Sequence, residues 1–287
     1  MSSTKSEDDT SKDQKDEVEC VRPFAKNSLE PKRMLRPWLT DEDSNYYKMD
    51  HSKRGIAVIF NQENFTNLNL PLRSGAIDCD NLNFTLRNLG FEVSLCQNKT
   101  LKNIRKTLKT VANTDHSESD CLIIVVLSFG KHDYLYASDT SYKVESLCNY
   151  FTADKCPTLA GKPKLFFIQA GCCNVIKPGT SCEQRGTEDL SKATFRIEPD
   201  FLIVYSAIPS NCFRNYIVRP TWFIEALCLQ LCENTTHYDL MTLLTFVSYY
   251  ITTDYYPTLS KKLTEQQKQQ IPCITSMLTR LIKFTPK

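Results

Sequence analysis

The chain has almost no net charge: 35 lysines and arginines stand against 33 aspartates and glutamates, leaving +2 over 287 residues. So balanced a surface has no electrostatic basis for gripping nucleic acid or an anionic membrane, and neither is expected as a partner. No apolar run reaches membrane-spanning length. The first residues, MSSTKSEDDTSKDQKDEVEC, lack the apolar core of a signal peptide. These absences predict a cytoplasmic protein in a reducing compartment, its 13 cysteines serving as buried small hydrophobes and not as disulfide partners. Asn64-Phe65-Thr66 and Asn234-Thr235-Thr236 then have no meaning as glycosylation sites. Cys172, Cys173, Cys182 and Cys212 lack the C-x₂₋₄-C spacing that lets two sulfurs reach one zinc ion, so no metal is expected. FGKHD (129–133) lacks the glycines and Lys-Ser/Thr order of a phosphate loop, and no cofactor is expected either. Internal repeats are also missing.

What remains is ordinary globular composition, 41% hydrophobic and 24% charged, with length for one sizeable α/β core or two small domains. Residues 1–43 alternate Ser, Lys, Asp and Glu with few large apolar groups, which predicts a flexible polar tail. Beyond it, short apolar runs alternate with helical periodicity. GIAVIFN (55–61), FEVSL (91–95), CLIIVVLSF (121–129), KLFFIQA (164–170) and DFLIVYSAI (200–208) read as strands, the last three as central strands covered on both faces. Leu82, Leu86 and Leu89 mark one helix, stopped at Gly90. Thr100 is placed to cap a second that carries Ile104, Leu108 and Val111 on one face. Ile224, Leu227, Cys228 and Leu231 mark a third, and Leu240, Leu243, Leu244 and Val247 a fourth. In QIPCITSMLTRLIKF (270–284), Pro272 argues for an edge or interrupted strand. The alternation predicts an α/β fold with a mostly parallel central sheet and helices on both faces. Ligand sites in such sheets form at the carboxyl ends of the strands, here after Leu127, Ala170 and Ser206.

Four long blocks then carry a resemblance. They are DHSESDCLIIVVLSFGKHDYLYASD (115–139), LCNYFTADKCPTLAGKPKLFFIQAGCC (147–173), EPDFLIVYSAIPSNCFRNYIVRPTWFIEALC (198–228) and QQIPCITSMLTR (269–280). In order and spacing they resemble the caspases, aspartate-specific cysteine proteases, over roughly 45–285. The resemblance implies a three-layer αβα sandwich on a six-stranded sheet. It implies a large-subunit-like region over 44–199, ending in a linker at about 174–199, and a small-subunit-like region over 200–287. It also implies dimer formation through the last strand.

Two departures fall on the chemistry. The family's base is a histidine in Ser-His-Gly and its nucleophile the cysteine of Gln-Ala-Cys. Here the motifs read Ser128-Phe129-Gly130 and Gln169-Ala170-Gly171. A phenyl ring cannot carry a proton and Gly171 has no side chain to form an acyl-enzyme. Cys172 is the fallback nucleophile, but one step along a chain moves the Cα by about 3.8 Å. Without a positive partner its thiol stays near an ordinary pKa of about 8.5. His132, three residues past Phe129, is the other imidazole at hand. The expectation drawn from these departures is an inactive homologue, not an enzyme. It would regulate apoptotic proteolysis by pairing with an active caspase paralogue or acting as its decoy. The alternatives are a weak Asp-directed cysteine endopeptidase using Cys172 and a homodimeric scaffold.

The binding residues that the resemblance implies are present: Arg73, Gln169 and Arg214 to hold an aspartate side chain, and backbone N–H groups near Gly130 and Gly171 as an oxyanion site. Peptides containing aspartate are therefore candidate ligands. Beyond them the pattern weakens: Asn211-Cys212-Phe213 precede Arg214 where the family has aromatic-Ser-Trp, and Pro220 stands where glycine is common. In the linker, Asp189 is followed by bulky Leu190. Asp43-Ser44 is the better processing site, trimming the tail and leaving the core whole.

Overall fold

LIIVVLSFGK has no charged side chain until its last residue, and only a strand screened from water on both faces can bury it. It forms β3 (Leu122–Lys131) at the middle of the sheet. The computed structural model describes residues 45–66, 68, 70–131, 133–172, 198–209, 220–255 and 271–287. The tail, Asp43, His132, Cys173, the linker through residue 197 with Cys182 and Asp189, and Cys212 and Arg214 lie outside the described residues.

The other strands are β1 (Ile56–Asn61), β2 (Glu92–Gln97), β4 (Tyr134–Tyr136), β5 (Ser141–Lys143), β6 (Lys164–Cys172), β7 (Phe201–Pro209) and β8 (Cys273–Ser276). Six of them run in the order β2-β1-β3-β6-β7-β8. The first five are mutually parallel and β8 is antiparallel to β7. A small hairpin, β4 and β5, continues from the end of β3.

Strand alternation divides the core in two. Ile123, Val125 and Leu127 face a layer built by α1 (Ala76–Asn88), α4 (Trp222–Glu233) and α5 (Leu240–Tyr250), through Leu82, Leu86, Leu227, Leu243 and others. Leu122, Ile124 and Val126 face α2 (Leu101–Ala112) and α3 (Glu145–Cys148), through Ile104, Leu108 and Leu147. This is the expected three-layer αβα sandwich. Thr100 caps α2 as its position predicts, accepting from the Asn103 N–H at 3.3 Å. Asp239 does the same for α5, accepting from Met241 N–H and Thr242 N–H. Among the described residues, no helix is long and apolar enough to cross a membrane.

Buried charge braces this frame in two places outside the site. Asp120, just before β3, is fully buried and accepts from Arg54 Nη1 at 2.9 Å and from the His51 backbone N–H at 2.9 Å. His51 Nδ1 lies 3.0 Å and Lys287 Nζ 3.1 Å from the same carboxylate. Arg54, also fully buried, donates from Nε to Leu89 O and from Nη2 to Thr285 O, and lies over the Phe284 ring. Asp120 and Arg54 together thus stitch the entry to β1, the end of α1 and the C-terminal segment.

The second place is Lys164, which opens β6 and is only 3% exposed. Its ammonium donates to Leu159 O at 3.3 Å and lies over the Phe201 ring. Burial holds its pKa down to about 8 from an ordinary 10.5, against the pull of Asp200 and Glu198. At about 1.4 kcal/mol per tenfold, keeping the proton costs on the order of 3 kcal/mol. The folded state releases that proton near pH 8 and the unfolded chain near 10.5, so this group's contribution to stability rises with pH between those values. Lys164→Met is expected to raise stability at neutral pH by about 1–3 kcal/mol, less than the full cost because the ring contact and carbonyl bond are lost. Urea titrations at pH 7 and pH 10 check it: the gain must shrink at the higher pH, and a gain equal at both would refute the assignment.

Candidate active site

Parallel register brings the carboxyl ends of the strands into rows. Asn61, Leu127, Gln169 and Ser206 stand abreast on β1, β3, β6 and β7. Two steps further, Phe129 pairs with Gly171, and in the next row Gly130 pairs with Cys172. The three segments singled out as strand exits therefore meet at one edge of the sheet.

Arg73 reaches this edge from the loop between β1 and α1. Its own N–H donates to Glu63 O at 3.0 Å, and the Gly75 N–H donates to the Glu63 carboxylate at 2.8 Å, which folds the loop back on β1. The guanidinium is fully buried. Nη1 donates to Asn61 Oδ1 at 2.9 Å and Nη2 to Asp78 Oδ2 at 3.5 Å. Nε has no partner among the described residues. Two neighbours are likewise incomplete there: the Gln169 Oε1 and the Asn61 Nδ2. Among the described residues Gln169 makes one long contact, Nε2 donating to Ser206 O at 3.5 Å. Burial holds Arg73 below its ordinary pKa and Asp78 above the usual carboxylate range, while their mutual attraction and the bonds from Thr221 to Asp78 oppose this.

Gly75 makes this packing possible. A Cβ there would lie 2.1 Å from Arg73 Nη1 and 2.5 Å from Asn61 Oδ1. Gly130 is constrained in the same way: a Cβ would come within 2.8 Å of both Ala170 Cβ and the Tyr205 hydroxyl. The end of β3 can lie flush against β6 only because that residue has no side chain.

Phe129 is buried, its ring 5.2 Å from that of Phe65. The described thiols divide by environment. Burial raises Cys79 to about 11 and Cys148 and Cys228 to about 12, and raises Cys121 and Cys156 as well. These five are protonated packing residues. Cys121 in particular is fully buried just ahead of β3, and its thiol is directed at Arg54 O. Cys232 and Cys273 are more open but sit on α4 and β8. Of the sequence-nominated residues, the structure brings Arg73, Gln169, Phe129, Gly130, Gly171 and Cys172 to one edge. Sequence reasoning missed Asn61 and Asp78. A polar residue ending an apolar strand, and a carboxylate five places after an arginine, were the available signals.

A caspase-domain family profile matches residues 54–283. The chain belongs to the caspase family. It is 42% identical to Caspase-1 of Spodoptera frugiperda over 264 residues, covering 91% of this chain and 88% of that one. To Caspase drICE of Drosophila melanogaster it is 38% identical over 269 residues, covering 92% and 79%. Among solved structures, the crystal structure of Caspase-1 from Spodoptera frugiperda superposes with a TM-score of 0.71 at 42% identity, covering 86% of this chain and 96% of that one.

These likenesses correct the expectation that this caspase-family chain is not an enzyme. About 40% identity to named caspases over nine-tenths of the chain points to a peptidase. The expectation rested on two positions alone, and on treating a one-residue offset as decisive. Strand β6 runs in regular register through Cys172, which pairs with Gly130 at the sheet edge instead of departing from it.

Proposed function

We propose that this caspase-family chain is an aspartate-directed cysteine endopeptidase of low turnover, acting in apoptotic proteolysis in the cytoplasm with Cys172 as nucleophile. The observation that supports it most is the likeness to named caspases over about nine-tenths of the chain, with Gln169, Gly171 and Cys172 all falling in the last rows of β6. Arg73 stands at the same edge, its buried Nε without a partner among the described residues. Arg73, Gln169 and Arg214 receive the substrate's aspartate side chain, and a guanidinium fork suits a carboxylate better than an amide. The Cys172 sulfur adds to the scissile carbonyl carbon, and main-chain N–H groups near Gly130 and Gly171 steady the oxyanion. Collapse releases the amine, which takes the thiol proton, and water then frees the acid and restores the thiol. Turnover is low because Phe129 offers no nitrogen to take that proton early.

The test is a fluorogenic peptide ending in aspartate, together with an aspartyl electrophile that traps thiols. Wild type is expected to hydrolyse the first and be labelled at Cys172 by the second, with both lost in Cys172→Ala. Hydrolysis surviving in that variant, labelling elsewhere, or no hydrolysis by wild type would overturn the proposal.

A second reading concerns partners. Strand β8 closes one edge of the sheet on β7, with Ile271 half exposed just before it. Among the described residues no strand pairs with the outer side of β8, and such an edge favours pairing with another copy of this chain or with another caspase. Light scattering should give a dimer mass that Ile271→Glu reduces; an unchanged mass would count against pairing there.

A further inference from the structure

Arg73 is held in an unusual way for a buried cation. A carboxylate serving as its full counter-ion would bind two guanidinium nitrogens at about 2.7–2.9 Å. Asp78 instead offers one oxygen at 3.5 Å, and Nε has no partner among the described residues although the side chain is fully buried. The reason lies on the other side of Asp78. Its Oδ1 accepts from the Thr221 backbone N–H at 2.6 Å, and its Oδ2 accepts from Thr221 Oγ1 at 3.1 Å. Thr221 is the N-cap of α4, yet its hydroxyl makes no capping bond to that helix. It is spent on holding Asp78 back.

Resting on the reading that Arg73 binds the substrate's aspartate, we propose that Asp78 is the positioning residue of that pocket, with Thr221 restraining it. Asp78 supplies enough negative charge to keep the guanidinium in place while the pocket is empty. Thr221 keeps that carboxylate from closing on Nη2 and Nε and so from competing with the incoming side chain. A substrate carboxylate then completes an arginine that the protein has left under-satisfied. Asn61 fixes the opposite side through Nη1, so the unclaimed Nε edge is the one available to the ligand. The arrangement also ties pocket geometry to the chain entering α4, since one carboxylate holds both.

The experiment uses the full chain and two dye-labelled tetrapeptide amides that differ only in ending with aspartate or asparagine, read by fluorescence anisotropy. In wild type the aspartate peptide should bind about tenfold or more tighter, as one charge-assisted pair allows. If wild type does not discriminate, the reading of Arg73 fails, and this proposal with it. If wild type discriminates, the variants test Asp78. Asp78→Asn is expected to erase most of the preference by weakening the aspartate peptide, while asparagine-peptide affinity changes less than about twofold. Thr221→Val keeps the charge but frees Oδ2 toward Arg73, and should weaken the aspartate peptide alone by roughly threefold or more. A preference unchanged in a folded Asp78→Asn protein, or equal loss of both peptides, would make Asp78 a packing residue only. Should Asp78→Asn fail to fold, Thr221→Val decides, and an unchanged preference there overturns the proposal.

Discussion

Phe129→His is expected to raise turnover of peptides ending in aspartate by about 10²–10⁴-fold, the contribution typical of a positioned general base. Phe129 pairs with Gly171 across β3 and β6, one row before the Gly130–Cys172 pair, so the substitution puts a titratable ring at the carboxyl end of β3. The loss is small by comparison. The ring contact with Phe65 is worth about 1 kcal/mol, and a histidine at a buried site costs some desolvation. Initial rates near neutral pH, with a thermal melt on the same sample, check the prediction. A folded Phe129→His protein no faster than wild type would mean that position 129 does not face the reacting bond. Adding Gly171→Cys in that background should move the nucleophile back one place, so that Cys172→Ala no longer silences the enzyme.

The second large effect is on stability. Asp120→Ala is expected to cost about 3–5 kcal/mol, because Arg54 is left buried without its counter-charge. For a domain of this size that corresponds to roughly 6–20 °C in melting temperature. The exposed pair Lys48–Asp50, 3.9 Å apart, is the natural control, and Asp50→Ala should cost less than about 1 kcal/mol. Added salt should leave the Asp120 effect nearly unchanged, because water and ions do not reach the pair. A melt shift for Asp120→Ala no larger than that for Asp50→Ala would show that the hub bears little weight.

Much of this frame was legible in the sequence, for identifiable reasons. The runs at 121–129, 164–170 and 200–208 are too apolar to be anything but buried strands, and their burial on both faces fixed the sandwich. Thr100 could be placed as a cap because a single hydroxyl before a periodic face has few other uses. Pro272 correctly marked an edge strand. The hairpin β4–β5 escaped notice because three-residue strands such as Tyr134–Tyr136 carry too little periodicity to read. The start of α1 at Ala76 escaped for a different reason. Asp78 is buried among its first turns to meet Arg73 and Thr221, so the apolar pattern begins only at Cys79 and Leu82. The error over activity was one of weighting. Gly171 and Phe129 are single positions, whereas register, which governs where Cys172 falls, belongs to the whole strand pair and cannot be read from either residue.

The close approach at Gly75 has a consequence for how this pocket can change over time. The space a Cβ at position 75 needs is already filled by the Arg73 guanidinium, 2.1 Å away. A side chain at 75 is therefore most harmful while Arg73 remains, and once Arg73 is shortened only the Asn61 amide, 2.5 Å away, has still to give way. A double-mutant cycle on the two positions should show strong non-additivity. Once a side chain occupies position 75, restoring arginine at 73 no longer fits. Loss of the Arg73 guanidinium would then be a ratchet: each step out eases the next, and the step back is blocked by the residue that followed.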